Sequence, residues 1–134
     1  MERPDFTGKW KFNREKSALE IPYPDSTLFC IEHHDPRFHF ERTHVTGNTQ
    51  DVFIIDLTTD GSLVTRNHHD IEIQGRLYWD SDVLVFDSQV CHENVRGRNL
   101  VRYHLSENGQ TLTADERLTL GEHTHHNKWI FEKT

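Results

Sequence analysis

Two imidazoles separated by one residue, His123 and His125, are the strongest chemical signal in this chain. On a β-strand side chains repeat every second residue, so both project from one side and can reach a single tetrahedral ion. A third imidazole from another strand completes three protein ligands and leaves a position for water. His92, His69 and His44 are the candidates for it. Glu116 is the acidic side chain placed to serve as general base toward a metal-bound water. The expected cofactor is a divalent transition metal, zinc first, because imidazole-rich ligation favours the borderline metals over Mg²⁺ or Ca²⁺. Such an ion lowers the pKa of its water to about 7. The same residues also support two plainer readings: a hydrogen-bonded polar network at a wet mouth, or a metal-free ligand or acid–base site.

These side chains must be positioned by strands. Turn chemistry marks Asp35-Pro36, Gly47-Asn48, Asp60-Gly61, Gln74-Gly75, Asp80-Ser81-Asp82, Arg96-Gly97, Asn108-Gly109 and Gly121-Glu122. Between them lie runs rich in Val, Ile, Phe, Tyr, Trp and Thr that alternate with period two. Only Arg14 to Glu20, after a first strand at Trp10 to Phe12, reads as a short helix or turn. The pattern predicts one all-β domain over residues 1–134. Its expected form is an antiparallel up-and-down β-barrel of about 8–10 strands.

Register follows from the turns. The Gly121-Glu122 loop sets His123 opposite Leu120, His125 opposite Leu118 and Asn127 opposite Glu116; Asn108-Gly109 brings Tyr103 and Val101 alongside. Arg96-Gly97 adds His92, Val90, Ser88, Phe86 and Leu84 to the same face. Gly47-Asn48 pairs Arg42, Phe40 and Phe38 with Phe53, Ile55 and Leu57, and sets His44 opposite Asp51. In an up-and-down barrel the end holding Trp79, Leu84, Leu105, Leu112, Trp129 and Phe131 is then apolar and plugged. The mouth collects His44, Asp51, His92, His123 and His125, with His69, Glu116 and Asn127 near by. Arg42 and Tyr103 point inward as a clamp for an anionic or hydroxyl-bearing group, over an interior lined by Phe40, Phe53, Phe86 and Trp129. His34, His39, His68, His104 and His126 read as surface residues, and His33 as structural.

Composition narrows the partners. With 134 residues and a net charge of −7, the chain has no basic patch, which excludes nucleic acid and anionic membranes as expected partners. No apolar run approaches the roughly 20 residues of a membrane helix, and Met1-Glu2-Arg3-Pro4 does not open a signal peptide. Cys30 and Cys91 lack metal or redox spacing and read as free thiols in a reducing cytoplasm. A monomer or homodimer is expected, Val52, Ile54, Val64 and Tyr78 forming an outward face that is either interface or ordinary surface.

Thr7-Gly8-Lys9-Trp10-Lys11 resembles the Gly-x-Trp signature that opens the first strand of lipocalin-type barrels. Leu105 to Thr113, the closing Phe131-Glu132-Lys133, Ile31-Glu32-His33 with Asp35-Pro36, and Trp79 to Val85 resemble small bacterial lipocalin-like (calycin-type) proteins. The resemblance implies a barrel with an internal cavity and a first strand rising from the plugged end. It supplies no activity, since such barrels carry many functions. Three functions follow from the residues. The leading one is a metal-dependent enzyme, most simply a hydrolase of a small polar substrate at the His-rich mouth. The others are a non-catalytic small-molecule carrier and a haem or metal carrier with an inward His as axial ligand.

Overall fold

The computed structural model describes residues 3–134. Ten strands follow one another: β1 (Gly8–Phe12), β2 (Ser26–His34), β3 (Arg37–Thr46), β4 (Thr49–Thr58), β5 (Val64–His68), β6 (Ile71–Asp80), β7 (Val83–His92), β8 (Val95–Leu105), β9 (Thr111–Leu120) and β10 (His123–Lys133). All neighbours pair antiparallel, in the order β4-β3-β2-β1-β10-β9-β8-β7-β6-β5. The all-β up-and-down barrel expected from the alternation is therefore what forms. The β1–β10 ladder closes the chain ends together, and an unpaired seam separates β4 from β5.

The base is plugged as expected. Phe6, Trp10 and Phe38 are buried there, and the Trp10 indole donates to the Phe6 carbonyl at 3.0 Å. His33 is buried beside them and bonds Asp35 Oδ1 at 3.0 Å, an oxygen that also accepts from Thr59 and Trp79. At the mouth, residues 13–25 form a turn at Arg14–Lys16 rather than a helix. This segment bridges to β10 through Ala18 and Lys128 and packs Leu19, Ile21 and Tyr23 onto the core.

Two expected turns are corrected. Gln74-Gly75 lies inside β6 and Arg96-Gly97 inside β8. The real hairpin turns are His69-Asp70 (φ 48° and 64°) and Glu93-Asn94 (φ 47° and 70°), left-handed pairs built without glycine. The two glycines serve close packing instead. A Cβ on Gly75 would enter the Phe86 ring; one on Gly97 would fall 2.5 Å from Leu120 Cδ2 and 2.6 Å from the Thr119 carbonyl oxygen. Moving the first turn flips the inward phase of β5. Val64, expected outward, packs on the core, and His68 replaces His69 as the inward residue.

Gly97→Ala is accordingly expected to destabilise the barrel by about 1–3 kcal/mol through overpacking against backbone that cannot yield. Urea unfolding reads the loss directly, and an unchanged midpoint would place Gly97 outside the strand.

Candidate functional site

The inward side chains enclose a cavity of about 70 Å³. Phe29, Phe40, Phe53, Phe86 and Trp129 form its apolar walls. Asn99 and Tyr103 from β8 and Glu116 from β9 make one wall polar, and Arg42 and His44 from β3 bring polar groups to the wall facing it. A larger concavity of about 520 Å³, over Glu72, Gln74, Gln89, Arg96 and Arg98, lies on the outward face of β6–β9. A ligand there would keep its water, so the interior cavity is the one that can sequester an apolar body.

Glu116 organises the polar side. Its Oε1 accepts from the Asn127 amide and the Trp129 indole, both at 3.0 Å, and its Oε2 accepts from the Asn99 amide at 2.9 Å. Three neutral donors therefore hold a carboxylate in an aromatic interior. The expected general base is instead a structural acceptor, because its oxygens are already committed. Asn127 is fully buried, and its own Oδ1 accepts from the Glu20 backbone at 2.7 Å, tying the mouth segment to the network.

On the opposite wall Arg42 Nη2 donates to Asp51 Oδ2 at 3.1 Å, and its guanidinium lies 5.2 Å from the Phe53 ring centre. Burial raises the Asp51 carboxyl, but hydrogen bonds from His69 and His68 and the charges of His68 and Arg42 outweigh it, leaving the pKa below the usual value. His44 bonds Thr27 Oγ1 at 2.6 Å and stacks on Trp129. Its burial, reinforced by Arg42 and opposed by Asp51, pushes the imidazole down to about 4. Burial and the nearby Glu116 charge push the Tyr103 phenol above its ordinary value. Among the described residues, two buried side-chain atoms lack any hydrogen-bond partner: Arg42 Nε and Asn99 Oδ1. Both residues line the cavity.

The expected ligand-binding set is thus largely brought together: Arg42, Tyr103, Phe40, Phe53, Phe86 and Trp129 line the cavity, with Asn127 and Asp51 one bond behind it. The expected metal set is not. His123 is exposed, and His125 is half-buried opposite Leu118. His92 is exposed beside the Glu93-Asn94 turn, and His44 turns to Thr27. The reason is geometric. Three strand spacings of about 4.8 Å, roughly 14 Å along the sheet, separate β10 from β7, which carries His92, and from β3, which carries His44. β1 pairs only Phe131–Lys133 of β10, so the His123 end overhangs and meets residues 18–20 instead. The one cluster with metal-ligand spacing among the described residues is Asp51, His68 and His69, which keeps only His69 of the expected ligands.

Asn99 and His68 were missed by the sequence pattern. Both errors trace to the misplaced turns. The uninterrupted alternation Ile71-x-Ile73-x-Gly75-x-Leu77-x-Trp79 and Gly97-x-Asn99-x-Val101-x-Tyr103 was the signal that strands continue through both glycines.

Comparison with protein-family models and with curated proteins returns no match. Solved structures match over almost the whole chain. Secretory abundant heat soluble protein 4 from Ramazzottius varieornatus has 15% identity, a TM-score of 0.70, and coverage of 100% of this chain and 99% of that one. Human cRBP IV has 12% identity and a TM-score of 0.66, covering 98% and 99%. Zebrafish ileal bile acid-binding protein complexed with cholic acid has 13% identity and a TM-score of 0.61, covering 96% and 98%. At these identities the likeness establishes the fold alone, a lipocalin-like antiparallel β-barrel. The expected metal-dependent hydrolase is overturned: these barrels are not named for catalysis, one is named for binding a small molecule, and the hydrolytic residues expected here do not converge.

Two outcomes test this site. The His44 pKa is lowered on folding, so the unfolded chain takes up the proton first as acid is added. Stability therefore falls between about pH 6.5 and about pH 4. His44→Gln should flatten that limb of a urea-derived stability profile; a His44 ring resonance titrating near pH 6.5 would contradict the burial. Glu116→Gln should cost about 1–3 kcal/mol in urea unfolding, since an amide oxygen that keeps the Asn127 and Trp129 donors turns its NH₂ onto the Asn99 amide donor.

Proposed function

We propose that this chain is a non-catalytic binding protein for a compact amphipathic molecule held inside the barrel. One observation carries the reading. An aromatic-walled cavity is lined by Arg42 and Asn99, and each carries a buried side-chain atom without a partner, the donor Arg42 Nε and the acceptor Asn99 Oδ1, where each lost hydrogen bond costs about 1–3 kcal/mol. A ligand bearing a hydroxyl or carbonyl satisfies these atoms while its apolar body lies against Phe40, Phe53, Phe86 and Trp129. The Tyr103 hydroxyl is a further partner on the Asn99 wall. The carrier alternative thus replaces the enzyme. Among the described residues, the lining holds no Ser, Thr or Cys nucleophile, and its carboxylate already accepts three hydrogen bonds. A barrel of this fold complexed with cholic acid supports the reading.

Charge selects the polar group. Arg42 contributes one positive charge, Asp51 cancels it, and Glu116 leaves the lining net negative. A neutral head is favoured over a carboxylate, because like charges repel strongly where water is excluded. The volume of about 70 Å³ lies well below the roughly 300–1,000 Å³ of drug-sized sites, so the ligand is compact and a haem macrocycle does not fit the cavity as it stands.

Trp129 lines the cavity, so its fluorescence, assigned by comparison with Trp129→Phe, reports occupancy. A three-carbon alcohol should bind at least about tenfold tighter than the matching carboxylate, and Arg42→Met should weaken the alcohol about three- to tenfold. Tighter binding of the carboxylate, or no response to either compound, would sink the proposal.

A further inference from the structure

The seam between β4 and β5 has no backbone ladder, yet three ligating side chains meet across it. Asp51 stands on β4, His68 ends β5, and His69 opens the turn to β6. His68 Nε2 lies 3.0 Å from Asp51 Oδ1 and His69 Nε2 lies 2.7 Å from the same oxygen. All three ligand atoms fall within 4.8 Å of one another. Consecutive residues on a strand would point to opposite faces. Here the left-handed φ of 48° at His69 breaks the alternation and brings its ring to 4.2 Å from that of His68.

We propose that Asp51, His68 and His69 form a divalent transition-metal site, zinc first, that staples the β4–β5 seam. Two imidazoles and a carboxylate are the donor set borderline metals prefer. Ligand atoms about 2.0–2.1 Å from a tetrahedral ion stand about 3.3 Å apart. The two nitrogens, now 3.0 and 2.7 Å from Oδ1, thus need to withdraw from it by about 0.3–0.6 Å and to settle about 3.3 Å from each other, starting from within 4.8 Å. His69 is 73% exposed and free to make that shift. Arg42 already occupies the other carboxylate oxygen, Oδ2, at 3.1 Å. It orients Oδ1 toward the histidines, as outer partners orient metal-bound carboxylates. The remaining coordination position is open to solvent, since His69 forms the outer edge of the cluster. The ion's role is structural: it joins edges that otherwise meet through Arg66 Nη2 on the Ile54 carbonyl, at 2.9 Å, and through side-chain packing such as Phe53 on His68.

The site shares Asp51 with the cavity wall through Arg42, but its test uses Zn²⁺ and no cavity ligand, so it fails or succeeds separately from the binding reading. Calorimetric titration of untagged, chelator-treated protein with Zn²⁺ alone should show one ion per chain at the seam. His69→Gln, exposed and therefore expected to fold as wild type, should weaken binding at least tenfold, as should His68→Gln and Asp51→Asn. His125→Gln should leave the seam affinity unchanged. Zn²⁺ should raise the melting temperature of the wild type and not of His69→Gln, because only the folded seam assembles the three ligands. Absence of binding overturns the site, as does binding that persists in His69→Gln and Asp51→Asn but disappears in His125→Gln.

Discussion

Glu116 is an acidic side chain inside an aromatic barrel, and the surrounding structure is arranged around its hydrogen bonding. A carboxylate out of water without donors costs several kcal/mol, and Asn99, Asn127 and Trp129 supply them from two strands. Each donor carries a second commitment. Asn127 accepts from Glu20 and so holds the mouth segment; Trp129 presents its face to His44; Asn99 is left with an unpaired oxygen. The polar side of the cavity and the position of the segment above it are therefore consequences of satisfying one charge.

The opposite wall solves a similar problem differently. Arg42 cannot deprotonate, and it is held by Asp51 at the very edge of the sheet. That edge has no strand partner, and unpaired edges invite association with other chains. Side chains cover most of it, Asp51 with its histidines near the mouth and Arg66 at the middle, and at the base the Asp60-Gly61 backbone reaches past β5 to β6. The electrostatics of the cavity and the closure of the barrel thus share one residue, Asp51. A change at either is felt by the other through a single carboxylate.

The contrast between the two groups of histidines is instructive. His123 and His125 have good spacing on one strand, but that strand end projects beyond β1 and, among the described residues, joins no cluster of metal-ligating side chains. His68 and His69 have poor spacing for a strand, yet a left-handed turn makes them neighbours in space. Local periodicity predicts direction only while the strand lasts. At a turn the backbone angles decide.

Alternation alone settled a great deal. The inward positions Phe38, Phe40, Phe53, Ile55, Phe86, Val101, Ala114 and Phe131 were legible because a period-two pattern can bury only one face. The turns at Gly47-Asn48, Asn108-Gly109 and Gly121-Glu122 set their register from local chemistry. Arg42, Tyr103 and Glu116 were recognisable as interior polar residues by the same parity. What lies between strands distant in sequence was not legible. Whether Glu116 is a base or a structural acceptor depends on Asn99, two positions along β8 from its ladder partner Val101, on a strand whose entry turn, Glu93-Asn94, carries no glycine. Which histidines converge depends on strand spacing, on the overhang of β10 past the short β1, and on a seam that joins β4 to β5 without hydrogen-bonded register. Hairpin chemistry is local and can be read residue by residue; the meeting of side chains across a closed barrel is set by the curvature of the whole sheet, which no single segment encodes.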